Sequence, residues 1–517
     1  MTSMKQVSWF KRYLALAMTL FLMLSLIPMQ IFAAEDGALR DMPSKSYWAY
    51  EALNSAVEND ILRGSDGRLN PRGLVTRGQL AAILNRVFGA VEMADISVFT
   101  DIPAGYALKN DLAKALQMKT MQGNGTLMNP TGNVTRQQAF TMIARALKLD
   151  DGALAVLDSF SDKDQIASYA RGPLAAMVSA GYVSGSNGKL NPKSMVSREQ
   201  VAQVLYNIFA KYIRTAGTYS GEQAGNVIVS VPGVTFKDAT ITGDLILGEG
   251  LADGEVTLDN TIVQGRLVVR GGGANSIRII NNSNVGSIIV SKTASGGVRV
   301  LCSEGARVEM VYVNDGVDEV NLEGSFKSVK VGSEVGVALT NANVSELNIE
   351  AANADVEVRS GSVSNVTLAE SATNADLALD KGTSVGNLTI ASDAAADVTV
   401  AGKVANVTVE RGSNTAAQTT LNIENTAKVN TVNVEKGAAT NIDAAKGANI
   451  GTVKAEDKSD VSGSGANNTN KGNGGGGAVW GVNSTHTKIY NCTFLGNRTK
   501  TAAGTGGAVI SAAGYDS

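Results

Sequence analysis

Apolar residues along this chain change their period near residue 220. Before that point they recur every three or four positions, which is helical spacing. After it they alternate with polar residues, which is the period of a strand with one buried face. In the segment 38–90, Tyr47-Trp48-Ala49-Tyr50 opens a helical pattern that runs through Leu53 and Ala56 to Ile61-Leu62. The loop Arg63–Pro71, with Gly64, Gly67 and Pro71, breaks it. A second helix starts after Thr76 and turns Leu80, Ile83, Leu84 and Val87 to one side. The same layout returns over 97–150 and over 158–215, so the first part of the chain is three copies of one helix–loop–helix module.

From 225 to 455 the unit becomes Val-x-x-[Leu/Val]-x-[Val/Ile], starting at Ile241, Val263, Val285 and onward to Val404 and Ile450. The intervals run from 18 to 25 residues, and short second strands such as Val356-Glu357-Val358 and Val398-Thr399-Val400 lie between them. Two short strands per ~20 residues describe a parallel β-solenoid, because one coil cannot bury its apolar face alone and a stack can. Eleven such units give a rod roughly 50 Å long at the usual strand spacing. A series of small β-sandwiches is the competing architecture, but the repeat is short for it. The expected fold is therefore multidomain: an all-α head of three modules followed by an all-β parallel β-solenoid.

The candidate chemistry sits at the second helix of each module. Asn-Pro-x-x-x-Val-[Thr/Ser]-Arg occurs as Asn70–Arg77, Asn129–Arg136 and Asn191–Arg198. Thr76 with Gln79, Thr135 with Gln138 and Ser197 with Gln200 form capping boxes. Arg77, Arg136 and Arg198 then fall at the first helical position, where the helix dipole disfavours a cation by ~0.3–1 kcal/mol. Free amides at a helix start together with an arginine suit an anion. Alternatively each arginine pairs with an acidic residue near a module start, namely Asp41, Asp101 or Asp162.

These three segments resemble S-layer homology modules. The resemblance rests on the starts Leu39-Arg40-Asp41, Phe99-Thr100-Asp101 and Phe160-Ser161-Asp162, on the glycine loops Gly64/Gly67 and Gly185/Gly188, and on the arginine helix starts. It implies a pseudo-threefold bundle that binds a secondary cell-wall polysaccharide, often one carrying acidic pyruvyl ketals. The second copy is the most divergent. Asp101 and Tyr106 are five residues apart, Tyr106-Ala107 replaces Trp-Ala, and Gly123 is followed by Gly125. Arg136 is accordingly expected to contribute least. Trp48 reads either as core or as a platform for a sugar ring.

Composition removes several alternatives. The formal charge of the 517-residue chain is −3, which argues against a nucleic-acid partner. Two cysteines, Cys302 and Cys492, and one histidine, His486, leave no disulfide framework and no histidine-rich zinc site; no metal or cofactor is expected. Residues 1–34, with Lys5, Lys11 and Arg12 before an apolar run, read as a secretory signal peptide. A retained anchor is the alternative, and no membrane association is expected once the signal is cleaved. Residues 456–477 read as a Gly/Asn/Ser-rich linker. Residues 478–517, with Gly-Gly-Ala-Val at 476–479 and again at 506–509, resemble right-handed β-helix adhesin repeats and suggest a truncated repeat.

Between Lys237 and Val479 the only aromatic residues are Tyr312 and Phe326, few for a glycan-cleaving groove. The expectation is a wall-anchored surface protein, not an enzyme, whose solenoid is a structural or adhesive element. A wall-anchored polysaccharide lyase or hydrolase and a subunit of the surface lattice are the alternatives.

Overall fold

A computed structural model describes residues 39–413 and 417–456, with short pieces at 461–463, 468–469 and 479–480. Residues 1–34, read above as a signal peptide, lie outside the described residues, as do most of the segments read as a linker and as an adhesin-like repeat. Among the described residues no helix is long and apolar enough to cross a membrane.

Among the described residues the head has six α-helices, two per module: α1 (Tyr50–Glu58) and α2 (Arg77–Phe88), α3 (Lys109–Gln117) and α4 (Arg136–Ala146), and α5 (Ser168–Ser179) and α6 (Arg198–Ile208). Packing runs between modules, α2 against α3, α4 against α5 and α6 against α1. The three Asn-Pro loops meet at a closed triangle of backbone hydrogen bonds. The Val75 amide donates to the Val196 carbonyl at 3.0 Å, that of Val196 to Val134 at 3.0 Å, and that of Val134 to Val75 at 2.9 Å. All three valines are buried. Each loop is thereby paired to both of the others, so none of the three can close its backbone bonds alone.

The solenoid begins inside the segment assigned to the third module. Helix α6 passes without a loop into the strand Phe209–Ile213, which pairs in parallel with Asn226–Val229. The start expected at 225 missed this because Phe209 and Ile213 prolong the apolar pattern of α6. From there to Ala455 the recorded strand pairings are parallel. The register follows the sequence repeat: Val263 lies on Val285, Val344 on Val363, Val385 on Val404, and Val429 on Ile450. A second inward column runs Leu347–Val366–Leu388–Val407–Val432, and all of it is buried.

The head is bolted to the first turns of the rod. From Val329-Lys330-Val331 onward the residue between the two inward positions is polar, as in Val366-Thr367-Leu368. In the first turns it is apolar: Ile228, Ile246 and Val268 point away from the rod interior and are buried in the hydrophobic core of the head. Around that stripe, rod arginines cap the carboxyl ends of head helices. Arg214 donates to the Arg86 carbonyl at 2.8 Å, and Arg266 to Lys148 at 2.7 Å while held by Asp244 at 2.6 Å. Arg270, fully buried, donates to Met118 at 2.9 Å and to Ala146 at 3.4 Å. Its ion-pair partner is the equally buried Glu249 at 3.3 Å. Cations at helix carboxyl ends are favoured by the dipole. At the same seam Gly89, at φ 70°, closes α2 so tightly that a Cβ there would lie 2.7 Å from the Gly250 Cα.

Two substitutions test this construction. Arg270→Ala strands a buried Glu249 and two carbonyls, and should cost about 3–5 kcal/mol, read as a lower denaturation midpoint. In the rod, Val366→Asp places an unpaired carboxylate in the inward column and should abolish cooperative melting of neighbouring turns. Thr367→Asp, on the outer face, should stay within about 0.5 kcal/mol of the native chain.

Candidate functional site

Each module start is organised by its aspartate. Asp41 accepts from the amides of Leu69 (2.6 Å) and Asn70 (2.8 Å). Asp101 accepts from Met128 (2.8 Å) and Asn129 (2.6 Å). Asp162 accepts from Leu190 (2.9 Å) and Asn191 (2.7 Å). Asn70, Asn129 and Asn191 all lie at φ near +50°, a left-handed conformation that asparagine tolerates better than most residues. The aspartates therefore hold the loops in shape.

The loop glycines are turn residues. Ser65 pairs with Arg68 and Ser186 with Lys189, around Asp66-Gly67 and Asn187-Gly188, all four at positive φ. Two successive positive-φ residues make a type I′ hairpin. In the second module Asn124 pairs with Leu127 around Gly125-Thr126, and there positive φ is recorded at Gly125 alone. The turn has become II′-like, which moves the glycine one place earlier. Gly64 and Gly185 serve packing instead: a Cβ would come within 2.6 Å of Leu39 in the first case and 2.5 Å of Phe160 in the second.

At the second helices the capping boxes form as expected at Thr76/Gln79 and Thr135/Gln138, and Gln200 accepts the Ser197 amide at 3.1 Å. The expected free amides are absent. The amide of Arg77 donates to Gly132 and that of Gly78 to Pro130; Arg136 and Gln137 donate to Ser194 and Pro192; Arg198 and Glu199 donate to Gly73 and Pro71. Each of these three helix starts is thus closed by the Asn-Pro loop of a neighbouring module, and no amide nest remains there for an anion.

The arginine side chains cross the same boundaries. Arg77 donates to Met128 at 2.8 Å and Gln122 at 2.9 Å. Arg136 donates to Leu190 at 2.9 Å and lies over the Phe140 ring. Arg198 donates to Leu69 and to Arg63, each at 2.8 Å. Each guanidinium therefore faces the loop and aspartate of the next module: Arg77 faces Asp101, Arg136 faces Asp162 and Arg198 faces Asp41. Among the described residues none of these three arginines forms an ion pair with those aspartates. Burial is the largest influence on each arginine and pulls its pKa down from the ordinary value, yet an arginine stays charged at any physiological pH. The result is three half-buried cations held by carbonyls, with their charge not cancelled by direct contact.

This cyclic arrangement changes which arginine meets the divergent loop. The divergent loop of the second module faces Arg77, not Arg136. The alignment of aromatic residues also shifts. Tyr106 begins its helix as Tyr47 does, each accepting the amide three residues on into its own carbonyl; Tyr106 is therefore the counterpart of Tyr47, and Ala107 of Trp48. Trp48 is 56% exposed beside Tyr47, so the core reading fails. Tyr47 donates to Glu199 at 3.0 Å, with Arg72 near its ring. Tyr106 donates to the Pro130 carbonyl at 3.1 Å and lines an open cleft of about 500 Å³ with Thr76, Gln79 and Thr131. Among the described residues no three acidic, cysteine or histidine side chains converge to hold a metal.

Two of the loop aspartates predict a pH dependence. The Met128 amide, then that of Asn129, holds the Asp101 carboxyl below the usual carboxylate range. For Asp41 burial pushes upward, but the amides of Leu69 and Asn70 outweigh it and the net direction is also down. A carboxylate lowered on folding adds stability that is fully present above its unfolded value, about 3.9, and lost as pH falls through the folded value. The melting temperature of the head should hold steady from neutrality to about pH 5 and drop below about pH 4. Asp101→Asn should lower the plateau and flatten the drop in a pH series followed by circular dichroism.

Residues 38–81, 98–140 and 159–202 match the S-layer homology domain. Over 176 residues, 32% of the chain, it is 24% identical to an amylopullulanase of Thermoanaerobacterium thermosulfurigenes, covering 9% of that protein. It is 24% identical over 174 residues to the exoglucanase XynX of Acetivibrio thermocellus, covering 16% of it. It is 22% identical over 209 residues, 40% of the chain, to the S-layer protein sap of Bacillus anthracis, covering 25% of it. The chain thus spans a quarter or less of the length of these relatives. Three S-layer homology domains, with the similarity to an S-layer protein, indicate a secreted cell-surface protein.

Proposed function

We propose that the three modules act as one pseudo-threefold head that grips a secondary cell-wall polysaccharide in the clefts between modules, and that the solenoid is a non-catalytic rod displayed from that anchor. The observation that carries this reading is the set of three half-buried guanidinium groups at module boundaries, satisfied by carbonyls and so still able to attract an anion. A polymer with acidic substituents, such as pyruvyl ketals, supplies that anion. Exposed Trp48 and Tyr169 beside the clefts offer flat faces for sugar rings.

The relatives that are enzymes share with this chain its S-layer homology region, so the similarity carries none of their activities to the solenoid. A role in a surface lattice is the second reading, supported by the similarity to the S-layer protein of Bacillus anthracis.

Purified chain should co-sediment with wall sacculi and lose that binding once the acidic substituents are stripped from the polymer; equal sedimentation with stripped sacculi contradicts the proposal. Charge-assisted contacts are worth ~1.5–3 kcal/mol, so Arg198→Ala should weaken binding by roughly tenfold or more. Arg77→Ala, in the cleft with the altered loop, should weaken it less. Melting curves run in parallel separate lost contact from lost fold, and Arg198→Lys should keep part of the affinity.

A further inference from the structure

On the rod, away from the head clefts, an open groove of about 470 Å³ crosses four successive turns. One wall is an outward column in register, Thr240–Ile262–Asn284–Arg307. The other is the corner column of Asp238, Asn260 and Asn282, two residues earlier on each turn. All three corner residues lie at φ between 49° and 62°, which turns the chain sharply and leaves a concavity between the columns. The corner is firm. Asn260 donates to Asp238 at 2.7 Å, and beneath it buried Thr261 and Ser283 bond to backbone carbonyls of neighbouring turns at 2.9 Å and 3.1 Å.

The chemistry of the lining is specific. Side-chain amides from Asn260, Asn282 and Asn284 present donors and acceptors together, which suits hydroxyl groups that do both. Ile262 is an exposed large apolar side chain in the middle of the groove, 45% accessible, while its neighbours in register are polar. Asp238 at one end and Arg307 at the other leave no net charge. With turns about 4.8 Å apart the groove offers a straight track of about 14 Å. The geometry points to a binding site for a neutral, extended glycan lying along the rod axis. Ring hydroxyls would meet the asparagine amides, and the apolar face of one sugar would rest on Ile262. The site rests on the solenoid alone and stands or falls independently of wall anchoring by the head.

The test is titration of the full chain with cellohexaose, an extended β-linked glucan, and with maltohexaose, whose α-linkages curl. Saturable binding of cellohexaose is expected, with maltohexaose markedly weaker. Replacing Asn284→Ala together with Arg307→Ala removes two polar partners and should weaken cellohexaose binding about tenfold with an unchanged melting temperature. Asn387→Ala, on a distant turn, should bind as the native chain does. If the double variant lowers the melting temperature, Ile262→Asp gives the same reading through the apolar contact. No saturable binding of cellohexaose, native-like binding by both groove variants, or equal binding of maltohexaose would overturn the assignment.

Discussion

Guanidinium groups that donate to carbonyls across a boundary hold the architecture together, and six arginines are used in this way, two of which, Arg266 and Arg270, are also paired with Asp244 and Glu249. Arg77, Arg136 and Arg198 cross between modules. Arg214, Arg266 and Arg270 cross from the rod to the carboxyl ends of head helices. The first three make the head one unit. The second three make head and rod one unit, because the carbonyls they cap would otherwise be buried without partners. A closed triangle of valine amides at the centre of the head and an apolar stripe at Ile228, Ile246 and Val268 fill in around them.

The same contacts connect fold to chemistry. A helix start normally offers free amides to an anion, but here the neighbouring Asn-Pro loop takes them. What remains at each boundary is a partly desolvated cation beside a loop whose aspartate is already occupied by amides. The three boundaries are not alike. The residue after each arginine is Gly78, Gln137 or Glu199, and it meets Tyr106, the Ala167 amide or Tyr47 respectively. Near-equivalent backbones thus frame clefts of different shape and charge.

Much of the rod was legible in the sequence, because a strand period of two and a buried valine column leave little freedom of register: Val344 on Val363 and Val385 on Val404 follow from spacing alone. The repeated arginine and the capping boxes were legible too, being local. The partner of each arginine was not, since a motif carries no sign of which module closes on it. The docking of the head was missed although its signal is present. Val227-Ile228-Val229, Leu245-Ile246-Leu247, Leu267-Val268-Val269 and Ile288-Ile289-Val290 are unbroken apolar triplets, where the turns from Val329 onward alternate, the mark of a strand buried on both faces. Arg270 gave no hint, because a charged residue after such a triplet reads as a solvated corner until a helix end is seen above it.

These contacts make head and rod a single rigid body. Spin labels at Glu58→Cys in the head and Ser345→Cys in the rod, in a chain with Cys492→Ser and with Cys302 left buried, report on it through their distance distribution. One narrow distribution, unchanged when wall polymer is added and broadened by Arg270→Ala, is the predicted result. A broad distribution in the native chain would contradict a rigid junction.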